Sequence, residues 1–148
     1  MERAQLSPKK MVGLPAVFLA LSLALVLLPA RPASAVSVVD GDCTFTVSGP
    51  FFYAGLVFPV IEVECDTVKQ TITLAAALDQ DGSEVATSGR TCRRTNKCVT
   101  GLASDGIFTH DVPGDQHWCG RGSAAVRVRR QPTQNFPELT SCETDTSF

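Results

Sequence analysis

The segment KQTITLAAALDQDGSEVATSG, residues 69–89, decides the fold class. Ile72, Leu74, Ala76 and Leu78 alternate with Thr71, Thr73, Ala75 and Ala77, the period of two that a half-buried strand requires. The alanines alone would also suit a helix. Thr-Ile-Thr ahead of them and Asp79-Gln80-Asp81-Gly82 behind them favour a strand entering a hairpin turn, with SEVATSG as the return strand.

Alternation extends outward from this hairpin. In CTFTVSG, residues 43–49, Cys43, Phe45 and Val47 face one way and Thr44, Thr46 and Ser48 the other. Gly49-Pro50 and the FFYAG segment break that run. LVFPVIEVEC, residues 56–65, resumes it, with Val57, Ile61, Val63 and Cys65 on one face and Glu62 and Glu64 opposite. Pro59 cannot donate to a ladder, so this strand is expected at an edge or bulged near its start. A short turn at Asp66 separates it from the central hairpin.

Downstream the signals weaken. KCVTGLAS (97–104) and GIFTHDV (106–112) read as short strands, and QHWCGRGSAAVRVRR (116–130) as a long last one. Gly120 and Gly122 suggest a bulge or twist in it. The tail, residues 131–148, has two prolines and no periodicity and reads as extended chain tied down by Cys142. About seven short strands with regular turn signals predict an all-β, antiparallel, immunoglobulin-like sandwich over residues 36–130. The antibody spacing is absent, since Trp118 adjoins Cys119 instead of lying midway between two cysteines.

The first 35 residues read differently. Arg3, Lys9 and Lys10 precede an uncharged apolar run from Leu14 to Ala30, followed by Ala33-Ser34-Ala35. A positive start, an apolar stretch and a small-x-small site are the marks of a secretory signal peptide, expected here to be a helix cut after Ala35. The apolar run has 17 residues and ends near Pro29, short of the roughly 20 that span a bilayer. Any membrane attachment would come only through an uncleaved signal. Residues 36–148 suit one domain. They carry nine Lys and Arg against fourteen Asp and Glu, a net charge of −5. That balance argues against nucleic acid as a partner.

All six cysteines follow the predicted cleavage site. An even number in a small exported chain reads as a disulfide framework, and the absence of any C-x-x-C makes structural zinc a poor account of them. Fifteen pairings exist for six cysteines. Spacing favours Cys92–Cys98 as a local loop, Cys43–Cys65 between two neighbouring strands, and Cys119–Cys142 as a clamp on the tail.

Few residues suggest chemistry. His110, Asp111, Asp115 and His117 flank one turn, and imidazole with carboxylate suits zinc or copper. The same composition describes a solvated hairpin loop, and the spacing of seven matches no metal motif. Glu62 and Glu64 share a strand face, which is a weak echo of the carboxylate pair a glycosidase needs and a common surface pattern. No G-x-S-x-G occurs, and Ser123 reads as an ordinary strand residue. Arg90, Arg93, Arg94 and Lys97 crowd the small cysteine loop, and Arg127, Arg129 and Arg130 line the last strand. Such asymmetry steers anionic partners such as polysaccharides or wall polymers, although outward arginines also protect exposed edges. Phe51, Phe52, Tyr53 and Phe58 crowd residues 50–59. As a lid on the sandwich they are core; exposed, they form a binding patch.

Taken together, CTFTVSG, the strand ending Val63-Glu64-Cys65, TITLAAALDQDGSEV and HWCGRGSAAVRV resemble small exported β-sandwich proteins common in actinobacteria. The resemblance implies fold and compartment and lends no functional residues. A fainter similarity is to the neocarzinostatin-type apoproteins, also small exported sandwiches with short disulfide loops; no motif supports their chromophore-binding role. The function expected is therefore a secreted, non-enzymatic binding domain, at the cell surface or free, with an unidentified extracellular partner and no cofactor. The alternatives are a small-ligand carrier using the aromatic segment 50–59 and, more weakly, a metal-dependent enzyme using the His110/His117 loop.

Overall fold

A computed structural model describes residues 34–101, 105–106, 108–111 and 113–145. The predicted export signal lies outside these residues, apart from Ser34 and Ala35. The described chain forms one antiparallel sheet of eight strands. They are β1 (Ala35–Asp40), β2 (Cys43–Tyr53), β3 (Leu56–Gln80), β4 (Ser83–Thr100), β5 (Thr109–His110), β6 (Gln116–Arg127), β7 (Gln134–Asn135) and β8 (Leu139–Asp145). The all-β antiparallel expectation holds. No helix among the described residues is long and apolar enough to cross a membrane.

Most of the architecture follows from β3. Its first half pairs with β2 on one side and with the end of β4 on the other; its second half pairs with the start of β4 and with β6. β6 in turn carries β7 and β8 on its far side, and β1 lies outside β2. In the first half Val57, Pro59, Ile61, Val63 and Cys65 are buried, all odd-numbered; in the second Ile72, Leu74, Ala76 and Leu78 are buried, all even, with Ala77 also buried between the last two. The parity changes because the pairing to β4 jumps from Glu64↔Lys97 to Lys69↔Thr95. β3 advances five residues there and β4 only two. An odd insertion flips every later side chain to the opposite face, and a bulge also bends the strand. The sheet thereby folds over, and β2 packs on β6 and β8.

The space between the two halves is filled from both sides. Phe45, Val47, Ile61 and Val63 meet Ile72, Leu74, Leu78, Trp118, Val126 and Phe136 in one buried cluster, with the rings of Phe45 and Phe136 5.6 Å apart. Gly120 and Gly122 permit the approach. A Cβ on Gly120 would lie 2.7 Å from Pro59 Cβ, and one on Gly122 would lie 2.9 Å from both Ile61 Cδ1 and Val47 Cγ2. The pairing of β3 with β6 runs without a register shift past both glycines, so they mark close packing and not the bulge that their sequence context suggests.

Several elements differ from the sequence reading. Segments 56–65 and 69–80 are one 25-residue strand, and SEVATSG and Lys97–Thr100 are both parts of the 18-residue β4. Of residues 106–112 only Thr109–His110 is strand among those described. Gly49-Pro50 bulges β2 between Ser48 and Phe51 without ending it. Pro59 sits opposite that bulge and just beyond the last β4 pairing, Ile61↔Thr100, so its missing N–H interrupts no ladder there. The chain beyond residue 130 is tied down by Cys142 as expected, and it also forms two short strands. β8 pairs with β6 from Gln116↔Asp145 to Gly122↔Leu139, so the sheet continues past the expected boundary. β1, unforeseen, is bonded along β2 from Ala35↔Ser48 to Asp40↔Cys43. Ser34, just upstream of the expected cut, also joins the sheet: its carbonyl accepts from Gly49 N, its N–H donates to Glu143 Oε1 at 2.8 Å, and its hydroxyl lies 2.9 Å from that of Ser141.

The bend is secured at several points. Lys69 is 5% exposed, and its ammonium donates to both carboxylate oxygens of Asp42 at 2.6 Å and to Thr67 Oγ1 at 2.9 Å. Thr67 donates to Asp42 at 2.6 Å, and Asp66 N donates to the Asp42 carbonyl at 2.9 Å. The disulfide Cys43–Cys65 joins residues directly opposite on β2 and β3, and Cys92–Cys98 spans the facing stretch of β4. A third bridge joins Cys119 to Cys142 across β6 and β8. Three disulfides in a small domain are what an oxidising compartment produces.

Two predictions follow from these contacts. Gly120→Ala forces a methyl against Pro59 and should destabilise the fold by about 1–3 kcal/mol, read by denaturant unfolding; an unchanged midpoint contradicts the close approach. The Lys69 ammonium and, next, the Thr67 hydroxyl hold the Asp42 carboxyl at about 2, below its ordinary 3.8. A carboxyl with a depressed folded-state value stabilises above its ordinary value, and the contribution is lost as pH falls through the folded one. The melting temperature should therefore fall between about pH 4 and pH 2. Asp42→Asn should melt lower at neutral pH and show a shallower decline over that window.

Candidate functional site

The two arginine clusters, far apart in sequence, meet at the bend end of the sheet. Thr71 on β3 pairs with Arg93 on β4 and with Arg127 on β6. Residues opposite one another in a ladder share a face, so Arg93, Thr71 and Arg127 form one row on the outer surface. The chain immediately past each arginine builds the adjoining groove. Arg94 takes a left-handed backbone, φ 52°, inside the loop closed by Cys92–Cys98. Arg129 follows the end of β6. The groove has a volume of about 580 Å³ and is lined by Val68, Lys69, Gln70, Arg94, Val128 and Arg129. Val68 is 67% exposed at its rim.

The electrostatics divide the basic residues into two classes. Lys97 donates to Glu62 at 2.9 Å and to Glu64 at 3.4 Å, Arg90 reaches Asp105 at 3.5 Å, and Arg121 binds Asp79 at 2.6 Å, Glu84 at 2.9 Å and Glu138 at 3.7 Å. The hydrogen bond to Glu62 raises the Lys97 pKa above that of an ordinary lysine, and the bond to Asp79 raises that of Arg121. By contrast, Arg93, Arg94, Arg127, Arg129 and Arg130 are exposed and have no carboxylate within ion-pair distance among the described residues. Five guanidinium groups thus face solvent at one end of the molecule. Each offers a planar fork of donors suited to carboxylate, sulfate or phosphate.

The other sequence candidates fall elsewhere. Glu62 and Glu64 do share an outward face, and both are held by Lys97. Phe51 and Phe58 stack across β2 and β3 with ring centroids 6.0 Å apart, each half-buried, while Phe52 and Tyr53 are exposed at the hairpin tip, Tyr53 at 74%. They form a small exposed aromatic tip, and none of them lines the groove beside the arginines.

The histidines separate. His110 pairs with Leu56 and meets Phe108 edge-on at 6.5 Å. The Asp111 N–H donates to Gly55 O at 3.0 Å. Asp115 is exposed. His117 instead lies beside the third disulfide, its Nδ1 3.7 Å from Cys119 Sγ. Among the described residues, the three potential metal-binding side chains that come together are His117, Cys119 and Cys142, a group that omits His110, Asp111 and Asp115. The turn that groups His117 with His110, Asp111 and Asp115 in the sequence does not set its neighbour here; alternation along β6 puts His117 on the same face as Cys119, two residues on.

No family model matches the chain, and no curated protein matches it. Among solved structures it is similar to AT1g01470 of Arabidopsis thaliana, determined in solution, at 10% identity over 84% of this chain and 88% of that one, with a TM-score of 0.43. It is also similar to a protein from Archaeoglobus fulgidus, determined by crystallography, at 11% identity over 80% and 97%, with a TM-score of 0.34.

Proposed function

We propose that the chain is an exported, non-enzymatic binding domain whose arginine-bearing end engages a sparsely charged anionic polymer, such as an acidic polysaccharide. The observation that carries this reading is the convergence of Arg93 and Arg127 on Thr71, with Arg94 and Arg129 lining the adjoining groove. Uncompensated charge gathered on one surface steers oppositely charged partners and raises their local concentration. The net charge of −5 over residues 36–148 makes a dense polyanion such as nucleic acid a poor match, because the acidic remainder of the surface would repel it. A polymer that carries one charge per sugar or so touches the arginine end alone.

Export is supported by the signal-like first 35 residues and by the three disulfides. The non-enzymatic reading is supported by Glu62 and Glu64, the carboxylates that alternation puts on one face. Both are engaged by Lys97 in a surface ion-pair cluster, as a solvated sheet face would hold them.

Chromatography on immobilised polygalacturonate, an acidic polysaccharide with one carboxylate per sugar, tests the reading. The protein should be retained at low salt and released as salt screens the contacts. Arg93→Ser and Arg127→Ser should each weaken binding about tenfold, the scale of one lost charge-assisted hydrogen bond. Lys97→Ser should bind as the parent does, since Glu62 and Glu64 already neutralise Lys97. No retention of the parent, or equal retention of the Arg93→Ser/Arg127→Ser double variant, overturns the proposal.

A further inference from the structure

The three disulfides occupy different environments. Cys43 and Cys65 are 1% and 3% exposed, and Cys98 is 2% exposed. Cys119 and Cys142 lie on the opposite side of their strands. Along β6 the inward positions are Gln116, Trp118 and Gly120, which leaves His117, Cys119 and Arg121 outward. Cys142, opposite Cys119 on β8, is exposed, and Cys119 is half-buried. This is the bridge that a thiol in solution reaches without opening the core, and exposed disulfides are the labile ones.

The same alternation places His117 next to it. His117 stands two residues before Cys119 on the same face, with Nδ1 3.7 Å from Cys119 Sγ. One potential ligand atom from each of His117, Cys119 and Cys142 lies within 4.8 Å of the others. The ladder between β6 and β8 runs on both sides of the bridge, from Gln116↔Asp145 to Gly122↔Leu139. Breaking the S–S bond therefore leaves two thiols opposed on a standing scaffold, with an imidazole beside them.

We infer that Cys119–Cys142 is a reducible bridge which, once opened, forms with His117 a three-ligand site for zinc. Reduction by a dithiol balances simply. One thiolate of the reductant attacks a bridge sulfur and displaces the other cysteine as a thiolate; the second thiolate of the reductant then resolves the mixed disulfide. Two electrons pass from the dithiol to the bridge, leaving two cysteine thiols and an oxidised cyclic disulfide. Zinc(II) displaces both thiol protons and accepts Cys119 Sγ, Cys142 Sγ and one ring nitrogen of His117, and water completes the tetrahedron. With Zn–S bonds of about 2.3 Å the sulfurs sit roughly 3.8 Å apart, a separation that the freed side chains reach by rotation. Two thiolates and one imidazole form a soft donor set suited to zinc.

Titration of the folded, oxidised protein with dithiothreitol, followed by alkylation and mass mapping, tests the first half. Cys119 and Cys142 should be labelled before the other four cysteines. Zinc binding to the singly reduced protein, followed through the thiolate absorption of a cobalt(II) probe and its displacement by zinc, tests the second. One equivalent should bind, and His117→Ala should weaken binding at least tenfold while leaving the oxidised protein's melting temperature unchanged, since His117 is exposed. If another bridge opens first, if the opened protein takes up no metal, or if His117→Ala binds as tightly as the parent, the inference is overturned.

Discussion

The bulge at Cys65–Val68 in the long central strand is the constraint on which the other features depend. β3 contributes three extra residues between Glu64 and Lys69 relative to β4. An odd insertion turns the odd-numbered apolar residues of the first half and the even-numbered ones of the second toward a common interior. Without it, one half of β3 would point its apolar residues at solvent. Stabilising contacts gather at this point accordingly: the Asp42–Lys69 ion pair, the Thr67 hydroxyl, the Cys43–Cys65 bridge, and the Asn96 side chain donating to the Cys65 carbonyl at 3.3 Å. Lys69 is a buried cation, and Asp42 and Thr67 supply its hydrogen bonds.

The candidate sites follow from the same geometry. Because β3 continues past the bend between β4 and β6, Thr71 becomes the residue across which Arg93 and Arg127 face each other. Because β6 is central in its half of the sheet, its inner face is given to Trp118 and the glycines, and its outer face to His117, Cys119 and Arg121. The arginine end and the exposed bridge thus lie at opposite ends of one outer face. One shows arginines with no carboxylate within ion-pair distance among the described residues, and the other an exposed disulfide beside an imidazole.

Elements with large apolar residues at period two were legible in the sequence. Phe45 and Val47, Ile61 and Val63, and Ile72, Leu74, Ala76 and Leu78 are buried in the alternation they display, and Asp81-Gly82 makes the two-residue hairpin between β3 and β4. Elements whose inward positions are small or polar were not. β8 turns Ser141 inward, satisfied by Ser34, so no hydrophobic period announces it, and the prolines ahead of it look like the start of a loose tail. β1 has one half-buried apolar residue, Val38, between exposed neighbours. The bulge itself reads as a turn, because Asp66-Thr67 interrupts the pattern just as a turn would. Cross-strand neighbours depend on register, which a single sequence does not display. The convergence of Arg93 and Arg127 on Thr71 is therefore hidden in the sequence, whereas His117 and Cys119, two residues apart on one strand, share a face that alternation alone displays.

Interstrand nuclear Overhauser contacts across β3 and β4 test the central claim most directly. The bulge predicts that Glu64 lies opposite Lys97 and that Lys69, not Asp66, lies opposite Thr95. Contacts between Asp66 and Thr95 would mean an unbroken ladder and no change of face, and would contradict the account.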